Sequence, residues 1–224
     1  VTDTSGAEVD ATPPVITAGS ISVTGASGTG GIFRIGDTVT ARWDSTATGD
    51  DNGDIAGVVF DFSEFGGGSA VVGTSSAGVW EASYTIVEGN IDLSDRNVTV
   101  TATDVAGNTS TRTGADGTVV DNIAPTIVDG DIDVTGGTGP SGAFRIGDTV
   151  TVTWTANNTD RIDAVLVDFS GFGGPAQAIA TEESGGFWLA TFTLGAGSLA
   201  TSSIEVALMA FDDAGNVLTR SKVT

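Results

Sequence analysis

Apolar and polar residues alternate with a period of two along much of the chain. Val39, Ala41 and Trp43 alternate with Thr38, Thr40 and Arg42. Val98, Val100 and Ala102 alternate with Thr99, Thr101 and Thr103, and Val206, Leu208 and Ala210 form a similar row. Trp80, Ala82, Tyr84 and Ile86 make another, matched by Trp188, Ala190, Phe192 and Leu194. Such a period puts one set on each face of a strand, and threonine and valine suit a pleated, half-buried surface. No segment sustains a helical apolar period, and Gly or Asp-Asn-Gly clusters punctuate the runs. About seven short strands in roughly 110 residues predict an all-β, seven-stranded sandwich. Trp43, Trp80, Trp154 and Trp188 all have the inward parity, which assigns them to cores rather than to a sugar-stacking platform. The Phe65-Gly66-Gly67-Gly68 and Phe172-Gly173-Gly174-Pro175 segments lack a following helix and Lys-Ser/Thr, so they read as strand connections, not phosphate loops.

The pattern occurs twice. Phe33-Arg34-Ile35-Gly36-Asp37-Thr38-Val39-Thr40 returns as Phe144-Arg145-Ile146-Gly147-Asp148-Thr149-Val150-Thr151, from 33 to 144, an offset of 111. Asp61-Phe62-Ser63 returns as Asp168-Phe169-Ser170 at 107, and Ala106-Gly107-Asn108 as Ala214-Gly215-Asn216 at 108. Ordered blocks with small drifts in offset mean two copies of one fold that differ by short loop insertions. The predicted organisation is an N-terminal arm or end of a preceding repeat (1–13), domain 1 (14–120), a linker (121–125) and domain 2 (126–224).

Composition narrows the chemistry. The 224 residues carry 29 acids against 8 bases, a formal net charge of −21, with no cysteine and no histidine. That charge repels phosphate backbones and anionic lipid, so nucleic acid and membrane surfaces are poor partners. It suits divalent cations, although salt-adapted surfaces carry the same bias. Without His or Cys there is no Ser-His-Asp or Cys-His centre, ordinary zinc site or disulfide framework. No apolar run is long enough to span a bilayer, and no basic-then-apolar leader is seen, so any signal peptide is expected to have been removed.

Asp121-Asn122-Ile123-Ala124-Pro125-Thr126-Ile127, then Phe144 to Val152, then Asp213-Ala214-Gly215-Asn216 resemble the bacterial Ig-like repeats of large surface adhesins and surface-layer proteins. The resemblance covers nearly the whole chain, twice, with Asp10-Ala11-Thr12-Pro13-Pro14 as a diverged linker. It implies two tandem Ig-like sandwiches in an extended arrangement, an extracellular or cell-surface setting and a structural role. A fold of this kind hosts many functions, so the role itself is not specified.

In such a sandwich the B–C loop, the F–G turn and the start of strand A gather at one end. For domain 2 that end holds Asp121, Asn122, Asp160, Asp163, Asp212 and Asp213, and the facing end of domain 1 offers Asp92 and Asp95. Hard oxygen donors from several segments suit Ca2+, which takes six to eight oxygens and reverses the sign of their mutual repulsion. The joint is similar to the cadherin linker, although the full cadherin motif set is absent. A second candidate calcium site is the upper end of domain 1, with Asp10, Asp44, Asp50, Asp51, Asp54 and Asp104. Asp50-Asp51-Asn52-Gly53-Asp54 lacks the glutamate and helices of an EF-hand. The alternative is that Asp and Asn fall here because they suit turns. Asp129, Asp131 and Asp133 form a row expected to be a solvated edge that discourages unwanted pairing.

Gly6-Ala7-Glu8-Val9-Asp10 aligns with Gly117-Thr118-Val119-Val120-Asp121, again at 111. The last strand of domain 1 is expected to run from Thr109 through Thr113 to Val120, a strand end that domain 2 lacks. Either the chain is an excerpt of a longer array, or the arm completes domain 2 of another copy beside Thr219 to Val223. Head-to-tail strand addition of that kind builds a filament. The expected partners are therefore copies of itself or neighbouring Ig-like repeats, with a surface glycan as a lesser reading through a carbohydrate-binding module. Asn97-Val98-Thr99, Asn108-Thr109-Ser110 and Asn157-Asn158-Thr159 fit the glycosylation pattern, which is common by chance. The acids cluster at domain ends with no aromatic cleft around them, so no enzyme is expected.

Overall fold

The computed structural model describes residues 9–156, 161–197 and 203–224. The chain divides into two compact units, Val1–Asn122 and Ile123–Thr224, each with its own hydrophobic core. Unit 1 contains β1 (Ile21–Thr24), β2 (Thr38–Asp44), β3 (Ile55–Asp61), β4 (Val71–Val72) and β5 (Thr74–Ser76). It continues with β6 (Val79–Thr85), β7 (Asp92–Arg96), β8 (Thr99–Asp104), β9 (Thr109–Thr113) and β10 (Thr118–Asp121). Unit 2 contains β11 (Ile132–Thr135), β12 (Thr149–Thr155), β13 (Ile162–Asp168) and β14 (Ala178–Ile179). Its remaining strands are β15 (Thr181–Ser184), β16 (Phe187–Thr193), β17 (Glu205–Asp212) and β18 (Val217–Val223).

The units share one plan. Unit 1 forms the sheets β1-β2-β6-β5 and β4-β3-β8-β9, and unit 2 forms β11-β12-β16-β15 and β14-β13-β17-β18. The pairings within these sheets are antiparallel. Alternation seals each unit as it would a sandwich: Val39, Ala41 and Trp43 of β2 meet Val58 and Phe60 of β3 and Val100 and Ala102 of β8 in one core. Val150, Val152 and Trp154 of β12 do the same with Val165, Val167, Leu208 and Ala210 in unit 2. Outward threonines face each other across strands, with Thr99 and Thr113 hydroxyls at 2.8 Å and Thr101 and Thr111 at 2.9 Å. Among the described residues the two four-stranded sheets of each unit hold eight strands, one more than the seven expected, because β4 and β14 are two residues long, too short to show a period, and unit 1 adds the β7–β10 pair.

The most repeated motif is a structural staple. The Asp37 carboxylate accepts Ser27 N at 2.9 Å, Arg34 N at 3.0 Å and Ser27 Oγ at 2.5 Å. Asp148 accepts Thr138 N, Thr138 Oγ1 and Arg145 N in the same way, at 2.9, 2.6 and 2.9 Å. The stapled loops pass so close to the next strand that a Cβ on Gly25 or Gly136 would lie 2.0 or 1.9 Å from the carbonyl oxygen of Thr38 or Thr149. Both glycines have φ well above zero, so no other residue fits there without strain.

One expectation about the end of unit 1 is corrected. Residues 109–120 are not one strand: β9 stops at Thr113, where Gly114 N donates to Val98 O, and β10 leaves that sheet. β10 pairs antiparallel with β7 and makes a parallel bridge between Val120 and Phe33. Phe33 N donates to Val119 O and Asp121 N donates to Phe33 O. Val120, Asp121 and Asn122 are consequently buried. Asp121 therefore closes a strand of unit 1 rather than opening a linker. In unit 2, Thr219 and Val223 already pair with Met209 and Glu205. The side of β18 expected to receive an arm is therefore not where the corresponding strand of unit 1 lies.

Candidate metal centre

The turn after β8 builds the first half of the centre. Asp104 is the last residue of β8, and its Oδ1 accepts Ala106 N at 2.9 Å and Asn108 N at 2.8 Å. Asn108 Nδ2 donates to Asp104 Oδ2 at 2.8 Å. Burial works against the charged form, but the donors from Asn108, Gly107 and Ala106 outweigh it and hold the carboxyl below its ordinary value. Asp54 precedes β3, and its carbonyl accepts Val105 N at 3.0 Å, which ties it to this turn. Asp10 arrives on the N-terminal segment, where Asn108 Nδ2 also reaches its carbonyl oxygen at 3.3 Å.

One carboxylate oxygen from each of Asp10, Asp54 and Asp104 lies within 4.8 Å of the other two. Asp10 and Asp54 are exposed and Asp104 is buried. Among the described residues this is the one such group of three acids. The donor set is all oxygen, from three segments, and leaves further positions for carbonyls and water. That chemistry fits a hard divalent cation better than a transition metal.

The other candidate acids have different work. Asp50 accepts Thr17 N at 2.9 Å, Thr17 Oγ1 at 2.7 Å and Trp43 Nε1 at 2.7 Å, and also takes Ser20 Oγ. Burial opposes its charge, but Ser20, Trp43 and Thr17 outweigh it and lower its pKa. These bonds make Asp50 the anchor of the buried Trp43 indole. Asp44 is likewise occupied, by Thr46 and Thr48, and Thr46 is the main cause of its lowered pKa. Asp51 is exposed and takes a positive φ in the loop. Neither Asp50 nor Asp51 belongs to the three-acid group.

At the other end of unit 1, Asp92 stands opposite Asp121 in the β7–β10 register, and Asp95 is exposed in β7. Asn122 is buried and ties the loop before β7 to the end of β10: its Oδ1 accepts Ile91 N at 2.8 Å and its Nδ2 donates to Val87 O at 3.0 Å. Both ends of the amide are consumed within the unit. In unit 2, Asp163 is exposed at the bulge of β13 against β17, and Asp213 is exposed in the following turn. Asp160 lies outside the described residues, as do Gly6, Ala7 and Glu8. Val9 is 85% exposed. Asp129 accepts Arg220 Nε at 2.5 Å, so its charge is paired rather than merely solvated.

Asp212 is the counterpart of Asp104 and differs from it. Its Oδ1 accepts Gly215 N at 2.8 Å and Asn216 N at 2.7 Å, but its buried Oδ2 has no hydrogen-bond partner among the described residues. Burial pushes its pKa up, and donors from Asn216, Gly215 and Ala214 only partly offset that. Ile162 pairs with Asp212 as Ile55 pairs with Asp104, so Arg161 occupies the register position of Asp54. Alignment by offsets could have shown this exchange of acid for base before the structure did.

No protein-family model matches the chain, and no curated protein matches it significantly.

Proposed function

We propose that the chain is an extracellular structural element, two Ig-like sandwiches in tandem, stiffened by Ca2+ at the ends of its units. It serves as a piece of a stalk, surface layer or adhesin array, and no reaction is assigned to it. The observation that carries the reading is the convergence of Asp10, Asp54 and Asp104. Asp10 lies on the N-terminal segment of unit 1, so a cation there would tie that segment to the β8–β9 turn. Three close carboxylates repel one another without a cation, and an ion bound only by the folded loops stabilises the fold by mass action. Burial of Trp43, Trp154 and Trp188 in the cores, with Trp80 packed against one, argues against a glycan-stacking face.

Calorimetry in Ca2+ and in chelator, at matched ionic strength, tests the reading. Unit 1 is expected to melt several degrees higher with Ca2+, and Asp54→Asn is expected to remove most of that gain. Coincident traces would remove the metal from the proposal. Magnesium at equal concentration controls for screening of the net charge.

A further inference from the structure

We propose that the outer face of the β14-β13-β17-β18 sheet of unit 2 is a self-association surface, and that its occupant is the same face of a second copy of this chain. The face follows from the strand register. Ile179, Leu166, Met209 and Thr219 lie opposite one another in one row across the four strands, and Ala164, Phe211 and Val217 form the next row. Partners across antiparallel strands share a face. This one points away from the core, which takes the alternate residues Val165, Val167, Leu208 and Ala210. None of the side chains in the two rows belongs to that core cluster. Leu166, Met209 and Phe211 are half-buried, while Ile179 is 82% exposed and Val217 48%.

Unit 1 shows a more polar version of the same face. There the rows read Val72, Val59, Thr101 and Thr111, then Gly57, Thr103 and Thr109. The Thr101 and Thr111 hydroxyls bond to each other at 2.9 Å. Three of these threonines, Thr101, Thr103 and Thr109, are exchanged for Met209, Phe211 and Val217 in unit 2. Contiguous exposed apolar side chains of this kind mark contact surfaces. Charge selects the occupant. The two rows of unit 2 carry no charged residue, so a basic partner finds no acid in them, and an acidic partner gains nothing against the repulsion of the chain. The matching surface is uncharged and apolar, and this chain itself presents one. Size agrees with a modest contact. Strands about 4.8 Å apart and residues rising about 3.4 Å make a face of roughly 19 by 20 Å. Two such faces packed together cover about 800 Å2 before any rim is counted, which places the contact among weak, reversible two-fold dimers. The inference goes beyond the structural reading above and does not rest on the cation centre.

The molecule supplies its own test variant. Met209→Thr, Phe211→Thr and Val217→Thr together give unit 2 the residues that unit 1 carries at those positions. Sedimentation of the full chain in chelator, over a wide range of concentrations, is expected to show a monomer–dimer equilibrium. Added salt is expected to strengthen it, because salt screens the repulsion between two chains of net charge −21. The triple variant is expected to dimerise at least tenfold more weakly, with its unit 2 denaturation transition still present as the check on folding. Ile179→Lys alters the same face at an open edge position and is expected to weaken pairing without disturbing the fold. A parent chain that stays monomeric would overturn the proposal and leave the face to a different protein. Association that salt weakens, or folded variants that pair as well as the parent, would also overturn it. Chelator keeps these outcomes apart from the metal reading, which the Ca2+ response of unit 1 reports on separately.

Discussion

The turns that follow β8 and β17 have the same ending, Ala-Gly-Asn, and each is led by a buried aspartate whose Oδ1 caps main-chain amides. In unit 1 the second oxygen of Asp104 takes the Asn108 amide, and two further acids stand close by. In unit 2 the second oxygen of Asp212 is buried and has no hydrogen-bond partner among the described residues, and an arginine stands at the register position of Asp54. One local motif thus yields a carboxylate held in its charged form and another pushed toward its neutral form. The motif supplies only the cap. What a carboxylate does beyond capping depends on the neighbours that other strands bring.

The comparison can be broken most forcefully at the cores. Trp43→Ala should cost unit 1 about 3–5 kcal/mol and leave the unit 2 transition in place, since each unit has its own core. Denaturant melts with two resolved transitions would show it, and a joint loss of both transitions would mean that the units do not unfold separately. Asn122→Ala comes next, at about 1–3 kcal/mol in unit 1, because Ile91 N and Val87 O lose their partner. Here the chemical-denaturation midpoint should fall at constant slope.

The charge difference between the turns gives smaller effects. Asp54→Arg makes unit 1 resemble unit 2 at that position and should erase most of the proposed Ca2+-induced rise in melting temperature. Titration calorimetry should show the matching loss of binding heat. The weakest effect concerns pH in chelator. The folded pKa of Asp212 is raised, so its favourable contribution is complete below the unfolded value and disappears as pH rises through the folded one. Asp212→Asn should therefore raise the unit 2 melting temperature slightly at pH 7, with the gain shrinking toward about pH 4. Asp104 has the opposite sign: its contribution is present above the ordinary value and is lost as pH falls through the lowered one. Asp104→Asn should hence cost most at neutral pH and least in acid. Parallel curves for the two variants would contradict the comparison.

Much of this protein could be read along the chain. The period-two rows located β2, β6, β8, β16 and β17, since side-chain alternation is a local consequence of strand geometry, and the duplication placed β12. The duplication and the inward parity of the tryptophans were legible for the same reason, as was the crowding of acids near strand ends. Only the folded structure decided which acids meet. Asp50 and Asp54 are four residues apart in one loop, yet Asp50 turns in to Trp43 while Asp54 joins Asp10 and Asp104. Nothing in the spacing distinguishes them, because the deciding partners are distant in sequence. The same is true of β10: its residues follow β9 directly, but the break at Gly114 and the offered main chain of Phe33 carry it out of β9's sheet. Local pattern specifies which face of a strand is apolar. Long-range packing decides which strand, which loop oxygen and which unpaired amide lie beside it.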